Sequence, residues 1–523
     1  MPRIHAAVVA AALGASSAFG ISANAARGAR ADALAGLHAA VGRAGAFVAT
    51  VAGRDAASSD GLPLAKDVSA VGMSSERLAT VSRIVQRGIS AGGYPGASAI
   101  IGRRGYAVLK RGFGRLSWSS ESPEVDLHSI YDLASLTKVV GTTTALMVLY
   151  DEGKIDLDAP VRQYLPAFSG GMKDRVTIRQ LLTHHAGLPP GRDLWRTAHS
   201  PEEAREQVLA TPLICRPGDC YEYSDLGADI LGFVVETVAG ERMDKFLEKR
   251  VYGPLGMTDT YFLPPASVRW RTAPTEVSPP RGYPLKGEVH DENAYALGGV
   301  AGHAGLFSTA ADLSIYAQMM INGGEYGGVR VIADSTVKLF TRREAGTRAL
   351  GWDTCNNRGS CGSLMGASAY GHTGFTGTSL WVDPDRDLFV ILLTNRVHAA
   401  KAQRPAKVIA DVRADLSDAA ELAVVDSPDG PHAMPAAFRV DEKSGWTKPK
   451  ATRSKSYGKS KHSTAKSSKS KGKSSPSAKS KSSAKSKSSA KHSASGSSSS
   501  RSSSKAKSSK AKTSTAKKTT GRR

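Results

Sequence analysis

A compositional break at Lys443 divides this chain into a part that can build a core and a part that cannot. From Lys443 to Arg523 there are 25 Lys and Arg and no Asp or Glu, in a run of Ser, Lys and Ala with almost no large apolar side chains. Such a segment cannot bury enough surface to offset its chain entropy, so 443–523 is expected to be a disordered basic tail. Removing its 25 basic residues from the 70 of the whole chain leaves 45, against 47 acidic, so the body ahead of it is near neutral. The formal charge of +23 is therefore a property of the tail. Reading the whole protein as a nucleic-acid binder would average two unlike parts. Two readings of the tail stand side by side. One is electrostatic adhesion to anionic envelope polymers or lipid headgroups, with nucleic acid a third target. The other is a solubilising extension without a dedicated partner.

The first 25 residues read as a secretory signal. Arg3 supplies a thin positive start, Ala6–Leu13 an apolar stretch, and Ala23-Asn24-Ala25 a small-x-small cleavage pattern. Gly14, Ser16, Ser17 and Gly20 interrupt the apolar run, which falls short of the roughly 20 residues of a spanning helix. No other stretch qualifies, so an exported protein, periplasmic or extracellular, with no transmembrane segment is expected. Four cysteines suit that compartment. The pairs Cys215 with Cys220 and Cys355 with Cys361 are the simplest of three connectivities, with free thiols the alternative. Their spacing does not resemble a zinc site, and no H-E-x-x-H occurs.

Residues 26–73 are Ala/Gly-rich at first and are expected to form a lead-in linker. After a Ser74/Ser75 cap, Leu78, Val81, Val85 and Ile89 recur at helical spacing. Gly96–Arg103 and Tyr106–Gly112 read as strands joined at Arg104-Gly105. Helical segments dominate from about Leu136 to Gly256. Leu380–Asp383 and Leu388–Thr394 flank the turn Pro384-Asp385-Arg386, and a helix is expected from about Ala402 to Ala423. Strands at both ends with helices between predict an α+β fold. One sheet is assembled from both ends of a single domain, 74–425, with a helical insert. Residues 426–442 then link it to the tail.

Three short motifs could carry chemistry. In Ser135-Leu136-Thr137-Lys138, positions i and i+3 of a helix share a face, which sets the Lys amine beside the Ser hydroxyl. An amine desolvated in a cleft has a lowered pKa and can accept the Ser proton. The pattern alone is worthless, because Ser456-Tyr457-Gly458-Lys459 in the tail also matches it. Ser135 differs in leading into a long apolar helix through Leu146 and Leu149. Tyr223-Ser224-Asp225 follows Cys220, and a Tyr hydroxyl near Lys138 could relay a proton to a leaving group. The plain alternative is a buried Tyr with a satisfied hydroxyl. His372-Thr373-Gly374 stands just ahead of the last hairpin. Its Gly would let substrate approach the backbone, and the Phe375 N–H could be an oxyanion donor.

In this order and spacing the three motifs resemble the serine β-lactamase and penicillin-binding superfamily, in its class C-like branch of D-Ala-D-Ala peptidases and esterases. Leu181–Leu188, Gly298–Asp312 and Leu392–Arg396 look similar too, so the resemblance covers about Ser74 to Ala414. It implies a central antiparallel sheet flanked by helices with an all-helical lobe. Ser135 would be the acylated nucleophile, with Lys138 and Tyr223 sharing base and acid work. The N–H groups of Ser135 and Phe375 would hold the oxyanion, and His372 would line the site opposite Ser135. The substrate would be a small molecule or a peptidoglycan-derived peptide, with no metal or organic cofactor. Asp225 stands where many members have Asn, and His372 where β-lactamases usually have Lys. Both changes push away from a true β-lactamase toward a peptidase or esterase, unless Lys138 neutralises Asp225. A non-catalytic cell-wall binding module tethered by the tail is the reading from another class.

Other residues are decoys or bland. Gly88-Ile89-Ser90-Ala91-Gly92 matches G-x-S-x-G, but it ends a helix and precedes a strand, the reverse of that motif's setting. His290, Asp291, Glu292, Asn293 and His303 could hold a metal, and are read as loop residues on a cleft rim. Thr309 and Asp312 read as a capping-box-like pair. His184 and His185 are read as structural.

Overall fold

The computed structural model describes residues 60–398, 406–428 and 430–446. The signal-like segment 1–25, the lead-in before Asp60 and the tail beyond Trp446 lie outside the described residues, as does all of a second unit, Thr452–Arg523.

Helix α1, Ser75–Ser90, starts where Ser74 Oγ accepts from Arg77 N and buries Leu78, Val81, Ile84 and Val85. Strands β1, Gly96–Arg103, and β2, Tyr106–Gly114, follow as a hairpin. Helix α2, Thr144–Asp151, and helix α3, Asp225–Ala239, belong to the helical region. The short helix α4, Glu292–Ala296, precedes α5, Ala310–Ile321. Strands β3, Asp353–Thr354, β4, Tyr370–Thr373, β5, Ser379–Asp383, and β6, Leu388–Thr394, complete one sheet. Helix α6, Ala406–Leu422, follows the sheet, and the first turn expected for it, at 402–405, lies outside the described residues.

The strand order is β2-β1-β6-β5-β4-β3, antiparallel throughout. Sequence-remote β1 and β6 are central partners, with Ala97 opposite Thr394 and Arg103 opposite Leu388. Both are buried along their whole length because each face of the sheet is covered. Successive side chains point to opposite faces, so Phe389, Ile391 and Leu393 enter the core shared with the helical region. Leu388, Val390 and Leu392 enter a second core with α1 and α6.

Both segments expected as linkers contribute to these cores where they are described. Leu62 is fully buried, and Leu64 bridges to Ala107 on β2. Phe438 and Val440 are buried against α6, and Trp446, in the first residues of the segment expected as a disordered tail, is buried too, its Nε1 donating to Asp411 Oδ2 at 2.8 Å. The correction has a plain cause: a few apolar anchors in polar company carry no periodicity, yet suffice to tie a segment down.

Candidate active site

The two-residue strands Tyr131–Asp132 and Phe307–Ser308 pair antiparallel and set the entry to the Ser135 segment. Ala134 then takes φ +47°, a left-handed conformation that a residue with a Cβ rarely adopts. Its surroundings hold it there. Asp132 Oδ1 accepts from Ala134 N at 2.8 Å, Leu133 N donates to Leu306 O, and Thr378 Oγ1 donates to Leu133 O at 2.9 Å. The strain of such a residue is of order 1–3 kcal/mol and concentrates at functional sites. The helical path beyond it is irregular: a 3₁₀ turn at Ala134–Leu136, a π turn at Lys138–Thr143, and only then α2. The uniform helix expected from the motif is therefore corrected, yet the i, i+3 pairing survives.

Lys138 Nζ lies 3.0 Å from Ser135 Oγ, 3.1 Å from the carbonyl oxygen of His303 and 2.7 Å from Asp225 Oδ1. The amine is buried and Ser135 half-buried. The expectation of a lowered Lys138 pKa is overturned. Burial alone pushes it down, but the Asp225 carboxylate, with help from Tyr223, outweighs that and holds the amine above its ordinary range. Asp225 is held below the usual carboxylate range: burial opposes this, and the charges of Lys138 and His303 prevail.

Tyr223 reaches the same spot, its ring centroid 5.0 Å from Lys138 Nζ. Ser224 caps α3, accepting from Gly227 N and donating to Pro189 O. His184, itself at φ +60°, accepts from Ser224 N through Nδ1 at 3.1 Å and packs 4.5 Å from the Tyr223 ring. The two expected disulfides are present, Cys215–Cys220 and Cys355–Cys361. The first closes a loop docked on the His184 segment through Ile214 N to Gly187 O and Gly218 N to His185 O.

Strand β4 forms the opposite wall. His372 stacks on Tyr223 with ring centroids 6.0 Å apart, and its Nδ1 bonds Thr373 O. Burial pushes His372 down to about 4; Asp353 opposes this, while Arg348 and Lys138 add to it. It is a neutral ring at neutral pH. Gly374 is also required by packing: a Cβ there would sit 2.2 Å from the Leu133 carbonyl oxygen. The β4 strand end thus lies directly on the backbone leading to Ser135. Arg413 of α6 braces this end, donating to Gly374 O and Thr378 O at 2.7 Å each. The Phe375 side chain is half-exposed, 5.8 Å from the His290 ring and 4.5 Å below the Arg396 guanidinium.

Sequence reasoning misplaced one group. His290 and His303 are not rim residues but are 4% and 2% exposed. His303 is clamped between Asp229 and Asp291, and His290 pairs with Glu276 at 2.9 Å. A signal existed for Asp229: it stands four residues after Asp225 on the otherwise apolar α3, hence on the same face. Buried Arg348, which pairs with Asp353 beside His372, had none. Thr309 caps α5 as expected, accepting from Asp312 N at 3.1 Å, but the reciprocal bond of a capping box is replaced, since Asp312 Oδ2 accepts from Asp259 N and Thr260 Oγ1. Ser90 ends α1 exposed. Among the described residues no cluster of three His, Cys, Asp or Glu could hold a metal, and no helix is long and apolar enough to cross a membrane.

Comparison with known proteins gives a consistent result. Residues 81–414 match the family model described as Beta-lactamase. A relative from Escherichia coli (strain K12), named "Putative D-alanyl-D-alanine carboxypeptidase", is 34% identical over 369 residues, 63% of this chain and 85% of its own. A protein of the same name from Salmonella schwarzengrund is 35% identical over 370 residues, 64% and 85% of the two chains. Among solved structures, a penicillin-binding protein homolog from Caulobacter crescentus superposes with TM-score 0.53 at 23% identity, covering 67% of this chain and 98% of its own. A class C beta lactamase gives 0.54 at 17% identity, with 66% and 97% covered. These structures share the fold. Since the family match spans well over half of the chain, this protein belongs to the beta-lactamase family of serine hydrolases, which takes in the penicillin-binding proteins.

Proposed function

We propose that the protein is an exported acyl-transferring hydrolase that forms an acyl-enzyme on Ser135, and that its substrate is a cell-wall peptide ending in D-alanine or a related ester. The observation that carries this is the buried Lys138 amine 3.0 Å from the Ser135 hydroxyl, with Tyr223 beside it. In the reaction, Lys138 with Tyr223 takes the Ser135 proton as Oγ attacks the acyl carbon, and Tyr223 returns a proton to the leaving group. The N–H groups of Ser135 and Phe375 steady the oxyanion. A raised Lys138 pKa means that the free amine is scarce at neutral pH, so activity should climb toward alkaline pH.

The names of the relatives favour the peptidase reading over a true β-lactamase. The neutral His372 does not separate those two, since a peptide ending in D-alanine carries a carboxylate just as a β-lactam does; it suits an uncharged ester better than either. The ion pair to Lys138 removes much of the repulsion that Asp225 would otherwise exert on an anionic substrate. The test is intact mass of wild type and Ser135→Ala after mixing with a penicillin and, separately, turnover of a p-nitrophenyl ester. A penicillin adduct on wild type alone supports the peptidase reading; ester turnover without a lasting adduct supports an esterase. No response from folded wild type replaces both with a binding module.

A further inference from the structure

The loop Gly302–Leu306 lies between the Ser135–Thr143 segment and helix α3, and it is fastened to both. Thr142 Oγ1 donates to Gly302 O at 2.7 Å, and Leu306 N donates to Thr137 Oγ1 at 3.1 Å. On the other side a Cβ at Gly302 would lie 1.9 Å from Ala228 O, so the loop backbone rests on α3 itself. Within it the His303 ring meets Asp229 and Asp291 while its carbonyl oxygen lies 3.1 Å from Lys138 Nζ. The imidazole Nδ1 is 2.7 Å from Asp229 Oδ1 on α3, and Nε2 is 2.9 Å from Asp291 Oδ1 at the cap of α4. His303 N also donates to Asp229 Oδ1, at 3.3 Å.

Both ring nitrogens thus face carboxyl groups, and since a neutral ring has only one donor the two bonds need a second proton, on the ring or on Asp229, whose carboxyl burial pushes up. Asp291 is tied in turn to the N–H groups of Asn293 and Ala294. The charged groups around the ring are Asp229 and Asp225 from α3, Asp291 from the start of α4, and Lys138 across the loop. Burial works against the charged ring, but the three carboxylates hold it protonated.

We infer that His303 is a positioning residue for Lys138: a buried imidazolium clamped by Asp229 and Asp291, which fixes the loop carbonyl on the amine and offsets the negative charge gathered behind it. This rests on the hydrolase reading above. Lys138 has Asp225 Oδ1 at 2.7 Å and the His303 carbonyl oxygen at 3.1 Å, and the carbonyl is the one that carries no charge. It keeps the amine aimed at Ser135 Oγ when Asp225 alone would draw it toward α3.

The test compares wild type, His303→Gln and Asp291→Asn in p-nitrophenyl ester hydrolysis, with Ser135→Ala as the blank and folding checked by circular dichroism. The expected result for His303→Gln is a kcat lower by about 10- to 100-fold with KM within about twofold, the scale of a reacting group displaced by a fraction of an ångström to an ångström. The pH at half-maximal kcat should also rise in His303→Gln, which loses a cation near Lys138, and fall in Asp291→Asn, which loses an anion. If His303→Gln does not fold, Asp291→Asn, at the cap of a short helix, carries the same reading through its opposite shift. Folded variants with wild-type kcat and an unmoved profile overturn the inference, whatever happens to their melting temperatures. A wild type no faster than the Ser135→Ala blank overturns the hydrolase reading and the inference together.

Discussion

Asp225 Oδ1 lies 2.7 Å from Lys138 Nζ, a carboxylate on an amine that also meets the neutral Ser135 Oγ and His303 carbonyl oxygen. A carboxylate at this distance favours the protonated amine, and only the free amine can take the Ser135 proton. Asp225→Asn keeps the shape and removes the charge. The rising limb of the kcat profile should therefore move toward lower pH, by about one unit. A pH–rate series of ester hydrolysis checks this, and a profile that stays in place would show that Asp225 does not set the state of Lys138.

His372 makes stability sensitive to acid. Its folded pKa of about 4 lies below the roughly 6.5 of the unfolded chain, so between those values the unfolded state binds more protons. Stability from this group is complete above about pH 6.5 and is lost as the pH falls toward 4. A shift of this size corresponds to about 3 kcal/mol over the window. The fall in Tm from pH 7.5 to 5 should accordingly be smaller in His372→Gln than in wild type.

Gly374→Ala should be damaging out of proportion to one methyl group. The added Cβ would meet Leu133 O at 2.2 Å and Thr378 Oγ1 as well, two atoms that are hydrogen-bonded to each other. Relief requires β4 to back away from the turn that presents Ser135. A destabilisation of about 1–3 kcal/mol is expected, together with loss of ester turnover beyond what unfolding explains. Chemical denaturation and kcat on the same sample separate the two.

The disulfides should differ in consequence. Each closes a loop of only a few residues, worth about 2 kcal/mol in chain entropy. Cys215–Cys220 also shapes the segment that delivers Tyr223, so replacing both residues by Ser should lower kcat as well as Tm. Cys355–Cys361 is buried in the core of α1 and α6, and its double replacement should lower Tm with kcat nearly unchanged. Equal kinetics in the two double variants would count against a role for the first bridge in placing Tyr223.

The sequence by itself determined the framework. Periodicity located α1, both hairpins and most of α6, and the order of the Ser135, Tyr223 and His372 motifs pointed to a single site. Those signals are local, since a helix cap, a period-2 strand or a three-residue motif is decided by neighbours in the chain. The β1–β6 pairing was within reach only as the idea that both chain ends share a sheet. Tertiary structure alone decided the electrostatics. Whether Lys138 is charged depends on Asp225, 87 positions away. Whether His303 is a rim residue or a buried cation depends on Asp229 and Asp291 converging from two helices. Charge interactions act through space and grow as water is excluded, so the spacing of residues along the chain carries almost no record of them.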